Sequence, residues 1–394
     1  MERQKEIVRR ANLLKETLID LRREFHQQPE VGLQTFRTAG RIEALLREQG
    51  IETQRLVNGA GVRGVLSGKS PGKTIALRAD IDALPLQEEG QVPYRSNVAG
   101  AMHGCGHDAH AAMLLGATKI LAEERKNLKG RVVFLFQPAE ETGEGARRMV
   151  DEGCLEGVDA VFGLHVSTTF DLGTLGYRSG PLMAAGDFFD VKITGKGGHG
   201  GLPHEAIDPI VAAAQTITAL QSVVSREIDP LESAVLSICK MEAGQGAYNV
   251  IPDTASFGGT LRSHDPRLRQ YLQRRVKEVV EGVVSAMRAG YELRVMERFA
   301  PTINDERMTR FFVEVAQNVL GAEKVFEMKP LLGCEDFSCY LAKVPGCFSF
   351  LGAKNEEKGL TYPHHHPRFD IDEDVLPLGT ALHVAVALEY LTSL

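Results

Sequence analysis

Between residues 102 and 110 the chain reads Met-His-Gly-Cys-Gly-His-Asp-Ala-His, placing a thiol, three imidazoles and a carboxylate in one short segment. Cys105 and His107 are two positions apart, so they cannot share a helix face. An irregular glycine-rich loop leading into a helix lets both converge on one ion, with Asp108 near the helix N-terminus, where a carboxylate is favoured. More ionisable groups fall at the ends of apolar runs: Asp80 and Asp82 after 74–79, Glu140 and Glu141 after 131–136, and His165 at the end of 160–165. Late in the chain, Tyr362-Pro363-His364-His365-His366-Pro367 adds three consecutive imidazoles. Imidazole, thiolate and carboxylate together suit zinc, manganese, cobalt or nickel, and fit calcium or magnesium poorly.

Each signal has a plainer reading. A Cys-x-His pair alone is more often structural than ligating. A Glu-Glu pair is usually a solvated surface, but Glu140–Glu141 follows Phe-Gln-Pro-Ala at a strand end, which favours function. His103, His110 and His204 read as supporting, capping or surface groups, and His364 and His366 as neighbours of one ligand. Gly-rich stretches at 143–145 and 195–201 lack the spacing of a phosphate-cradling loop and read as connections.

The elements that must position these groups follow a βαβ rhythm. Residues 74–79, 131–136, 160–165 and 347–352 are compact apolar runs, as in parallel strands buried on both faces. Helical patterns lie between them at 108–124 and 144–152, after two amphipathic helices at 4–24 and 36–49. In such an open α/β sheet the carboxyl ends of the strands form the usual active-site crevice. The middle of the chain alternates instead, with strands at 187–194, 234–241, 254–262 and 291–297 and helices at 208–225 and 267–289. That order fits a ferredoxin-like α+β domain. The expected fold is therefore α/β: a mostly parallel sheet domain formed by 1–184 and 298–394, with an inserted ferredoxin-like domain at 185–297.

The 394 residues suffice for two or three domains and a full core without disulfides. With 45 Lys+Arg against 52 Asp+Glu, the net charge is −7, and the chain has no basic run, so nucleic acid is not expected as a partner. The first thirty residues carry charges at helical spacing and no apolar signal core, and nowhere do 18 apolar residues run together, so no membrane span is expected. Six cysteines (105, 154, 239, 334, 339 and 347) in so long a chain do not look like a disulfide framework. A reduced, cytoplasmic setting is the simplest expectation.

Taken together, HGCGHDAH, FQPAEETGEGA, GLHV, GKGGHGGLPHEAIDP, NVIPD, GTLR, GCEDFS and HHHPRFDIDED resemble the aminoacylase/carboxypeptidase family of two-metal peptidases. More narrowly they resemble its amidohydrolase branch, which includes hippurate hydrolases and indole-acetyl–amino acid hydrolases. The resemblance runs over about 20–380, in the family's motif order. It implies two divalent transition-metal ions per subunit, held by Cys105, His107, Glu141, His165 and His365, with Cys105 as a bridging thiolate. His365 is selected from the triple histidine by the pattern H-x-P-x-F. The same resemblance makes Glu140 the general base, and Asp82 the carboxylate that supports a ligating histidine. It makes His199 an inserted-domain group reaching the active site of a partner subunit, and Asn249 and Arg262 the binders of the substrate carboxylate. One residue departs from the pattern: Cys334 stands in GCEDFS where relatives more often have Ser or Ala.

The implied activity is hydrolysis of N-acyl amino acids to a carboxylate and a free amino acid, in a homodimer or dimer-based oligomer. The chemistry is consistent, since metal can lower the pKa of water from ~16 to ~7 and Glu140 could carry its proton to the leaving amine. A carboxypeptidase acting on N-blocked short peptides needs the same residues. Two other classes predict different behaviour: a Cys105 nucleophile, indifferent to chelators, and a non-catalytic metal-binding scaffold.

Overall fold

In the computed structural model, which describes residues 2–244 and 246–393, the chain forms two compact units. The first comprises 1–182, 303–329 and 336–394, the second 183–302 and 330–335. The sequence pattern put the boundaries at 184/185 and 297/298. The short return at 330–335 escaped it, because six residues in a loop carry no periodic signal.

The first unit is built on an eight-stranded mixed sheet. Its centre is parallel, in the order Lys129–Gln137, Ser70–Asp80, Ala160–Asp171, Gly346–Lys354. These are the four apolar runs, and nearly every residue in them is buried, as expected for strands covered on both faces. Two helices fill the core beside them, His107–Glu123 and Val375–Thr392. The second is apolar on all sides and has the length and composition of a membrane-crossing helix, with a mean hydropathy of 1.4. It serves instead as a core helix: Leu382, Val384, Ala385 and Val386 are all buried within the unit. The amphipathic stretch near the N-terminus is two helices, Glu2–Leu13 and Lys15–His26.

The second unit has a four-stranded antiparallel sheet, in the order Ala234–Ala243, Thr254–Ser263, Ala185–Thr194, Gly290–Phe299. With helices Pro209–Glu227 and Pro266–Ala286 between strands, this is the ferredoxin-like βαββαβ order. Both helices start at an Asp-Pro pair: Asp208 accepts from the Ile210 N–H at 2.8 Å, and Asp265 from the Arg267 N–H at 2.6 Å. Leu272, Val276, Val280 and Val284 form one buried stripe, packed with Phe189, Val191 and Phe257 of the sheet.

Candidate functional site

In the first unit the ionisable residues named from the sequence meet level with the carboxyl end of the strand Ser70–Asp80. His165, expected to end its own strand, lies inside Ala160–Asp171, which runs six residues further but is paired so that His165 stands level with Asp80. Cys105 and His107 are brought together by Gly106, which caps the helix His107–Glu123 with φ +90°. A Cβ at this glycine would lie 2.4 Å from Val166 Cγ2, so both the backbone and the space require Gly. Glu140 and Glu141 follow Ala139, a buried residue held at φ 54°. His365 is likewise left-handed at φ 65°, and its N–H donates to the Gly104 carbonyl at 2.8 Å, tying the histidine run to the Cys105 loop. Non-glycine residues in this region cost on the order of 1–3 kcal/mol, and such strain gathers at functional sites.

The donor atoms converge. Sγ of Cys105, an imidazole nitrogen of His107 and a carboxylate oxygen of Glu141 lie within 4.8 Å of one another. Cys105 Sγ is 3.5 Å from His165 Nε2, and His365 Nε2 is 3.4 Å from Glu141 Oε2. The other ring nitrogens are already engaged: His107 Nδ1–H donates to the Asp82 carbonyl at 2.9 Å, and His165 Nδ1–H to the Val166 carbonyl at 2.7 Å. Each Nε2 is thus the nitrogen left facing the cluster, where a metal would take the place of a proton. Of the triple histidine, His365 is the one that reaches Glu141. His364 Nε2 meets the Val166 carbonyl at 3.0 Å, and the His366 ring stacks on Tyr362 at 4.4 Å.

Asp82 organises both sides of the cluster. Its carboxylate lies 3.4 Å from His107 Nδ1 and accepts the backbone N–H groups of Glu140 (3.0 Å) and Glu141 (3.2 Å). One buried residue therefore orients an imidazole and the turn that presents two acidic side chains.

The electrostatics ask for a cation. Burial pulls the His107 imidazole down, but Asp80, Asp82 and Glu141 outweigh it and push it up to about 10. Burial, then Glu141, Glu140 and Asp80, push the Cys105 thiol well above its ordinary value. A reactive nucleophilic cysteine needs the opposite surroundings. Burial and the nearby His110 and His364 keep His165 neutral. His107 Nε2 and Glu141 Oε1 are buried with no hydrogen-bond partner. Buried polar atoms without partners are rare, and here both face a set of soft and borderline donors, so the residues present fit a divalent transition metal.

A second donor group, Asp80, His107, His110 and His165, is also close-packed. It is better described as support. His110 Nε2 accepts the Val166 N–H at 2.9 Å while its Nδ1–H donates to Asp80 Oδ1 at 2.5 Å, and Arg78 donates to Asp80 Oδ2 at 2.8 Å. Arg78, fully buried, also reaches Gln137 and Asp336. The sequence carried a signal for it: an arginine inside the apolar run 74–79 must find a buried partner.

The remaining candidates lie in the second unit. His199 and Asn249 are neighbours there: Val250 pairs with His199 across a two-stranded ladder, and the Gly200 N–H donates to the Asn249 carbonyl at 2.8 Å. Both are exposed. Arg262, on Thr254–Ser263, directs its guanidinium at the Cys334 sulfur and lies over the Phe188 ring at 5.8 Å.

The profile of peptidase family M20/M25/M40 matches residues 76–389. Among curated proteins, the IAA-amino acid hydrolase ILR1-like 4 of Arabidopsis thaliana is 43% identical over 381 residues, 96% of this chain and 86% of that one. Thermostable carboxypeptidase 2 of Saccharolobus solfataricus is 40% identical over 96% of both chains. Among solved structures, the YXEP protein of Bacillus subtilis, a dinuclear metal-binding peptidase of the M20 family, superposes with a TM-score of 0.85 at 36% identity, covering 97% of this chain and 99% of the other. By a profile spanning most of its length and relatives at this identity, the chain belongs to peptidase family M20/M25/M40.

Proposed function

We propose that the protein hydrolyses the amide bond of N-acyl amino acids, releasing a carboxylate and a free amino acid. Membership of its family makes the chain a metal-dependent amidohydrolase. The observation that carries the reading is the convergence of Cys105, His107, Glu141, His165 and His365 beside Glu140, on the turn that Asp82 orients. Those five residues would hold two divalent ions. Bound metal supplies Lewis-acid polarisation of the scissile carbonyl and lowers the pKa of water toward neutrality.

The chain's own residues do the rest. Glu140 accepts the proton of the attacking water as the C–O bond forms, and delivers it to the amide nitrogen as the C–N bond breaks. Glu141 points into the cluster as a ligand, so adjacent carboxylates take different tasks. His199 donates to the developing oxyanion, a contact worth about 3–4 kcal/mol where such donors have been removed in other enzymes. Arg262 pairs with the substrate α-carboxylate and Asn249 hydrogen-bonds to it. We place His199 at the site of a partner subunit, in a homodimer. We place the protein in a reducing, cytoplasmic setting.

The test is free-amine release from N-acetyl, N-benzoyl and N-blocked dipeptide substrates, before and after chelation, with zinc, manganese, cobalt or nickel added back. Release that stops with chelator and returns with one metal supports the reading. Release that persists after verified metal loss overturns it. A carboxypeptidase acting on N-blocked peptides is the second reading, favoured by the relative of that name; preference for the blocked dipeptides would select it.

A further inference from the structure

We propose that Arg22 is a positioning residue for the metal cluster, its buried guanidinium locking the segment that carries His107 to the segment that carries His365. Arg22 lies on the helix Lys15–His26, in the buried stripe with Leu18, Phe25 and His26, and its side chain has 0% exposure. Nε donates to Asp108 Oδ2 at 2.8 Å, one Nη to Asp370 Oδ1 at 2.6 Å, and the other to Glu373 Oε1 at 3.3 Å. Asp108 directly follows His107 on its helix. Asp370 follows His365 by five residues. The two ligand segments are over 250 positions apart in sequence, yet one side chain spans them.

The arrangement is tighter than a buried ion pair needs. Tyr94 O–H donates to the other Asp370 oxygen at 2.7 Å, and the Arg22 guanidinium lies 5.0 Å from the Tyr94 ring. His26 Nδ1 meets Asp108 Oδ2 at 2.8 Å. Between His365 and Asp370, Phe369 is buried against Gly106, the residue that sets the Cys105–His107 turn. Displacing Asp370 therefore shifts both the loop of His365 and the packing beneath that turn. His365 is the candidate ligand with the greatest need of such an anchor, because it stands in a loop with φ 65° and its side chain is 56% exposed. Arginine suits the task because its planar fork addresses two carboxylates at fixed angles, whereas a lysine is a point charge that holds one direction.

This inference rests on the reading of His107 and His365 as ligands. The test measures zinc affinity of the purified holoenzyme, by competition against a chromogenic chelator, for the parent protein, Arg22→Lys, Asp370→Asn and His365→Ala. Thermal melting of the metal-free proteins is read in parallel. Groups that hold ligands in place typically govern 10–100-fold in metal affinity. Arg22→Lys and Asp370→Asn are expected to lose at least tenfold in zinc affinity. A folded variant whose zinc affinity stays within threefold of the parent, whatever its melting temperature, overturns the proposal and leaves Arg22 as scaffold alone. Should Arg22→Lys fail to fold, Asp370→Asn decides by the same criterion. If His365→Ala itself binds zinc as the parent does, the ligand reading fails, and that result is distinct from failure of the Arg22 link.

Discussion

Gly106 shows how much a single backbone position decides. Left-handed geometry costs an L-residue roughly 1–2 kcal/mol, and crowding of a methyl group into a packed core typically adds ~1–3 kcal/mol. The Cβ of Gly106→Ala would meet Val166 Cγ2 at 2.4 Å, so this change is expected to destabilise the fold and spread Cys105 from His107. Metal analysis after dialysis should then find less than the parent stoichiometry; full stoichiometry would show that the turn tolerates the change. Glu140→Gln should behave differently. On the proposed reading it removes the proton carrier and leaves the ligands, so turnover is expected to fall about 10²–10⁴-fold with metal content unchanged. Placement at strand ends and the family resemblance made the candidate site legible in the sequence: Cys105, His107, Glu141, His165 and His365 are ones whose donor atoms approach each other. Arg22 and Arg78 were harder to read. Each sits where periodicity calls for an apolar residue, and only the folded chain reveals which carboxylates justify it.

At the scale of elements, the pattern of the chain was informative because two periodicities differ so sharply. Runs buried on both faces gave the four parallel strands, and alternation gave the antiparallel sheet of the second unit; strand ends moved by four residues or fewer, except that the run 160–165 continues as a strand to Asp171. The pairing order was not readable from periodicity, since which strand lies beside which depends on contacts between distant segments. Edge strands such as Leu175–Tyr177 and Val325–Glu327 have three residues each, too few for any period. Within the second unit, one buried charge holds a helix to the sheet. Asp187, fully buried, accepts two hydrogen bonds from Arg269 (2.8 and 2.6 Å) and one from Gln273 at 2.7 Å, both on the helix Pro266–Ala286. Breaking a buried pair on one side costs about 3–5 kcal/mol. Asp187→Ala is therefore expected to lower the urea midpoint and to expose that helix to hydrogen exchange. Zinc affinity, which the proposed reading assigns to residues of the other unit, should not change. A parallel loss of zinc affinity would mean that the metal cluster depends on the inserted unit.

For the whole molecule, the question is whether one chain is sufficient. The cluster of Cys105, His107, Glu141, His165 and His365 belongs to the first unit, whereas His199, Asn249 and Arg262 belong to the second. If His199 serves a partner's site in a two-fold dimer, Glu140→Ala and His199→Ala chains are each nearly inactive alone, since every site lacks one group. Co-refolded in equal amounts, half of the dimers contain one chain of each kind. In such a dimer, the site built on the His199→Ala chain has its own Glu140 and receives an intact His199 from the other chain, while the second site lacks both groups. Activity should therefore recover to about a quarter of the parent value. If His199 acts within its own chain, neither site of the mixed dimer is complete and activity stays at the level of the separate mutants. Mass measurement of differently tagged chains must establish that mixed dimers formed, and their absence would itself count against an exchanging dimer. Recovery near a quarter would make the dimer, rather than the chain, the unit that performs the chemistry.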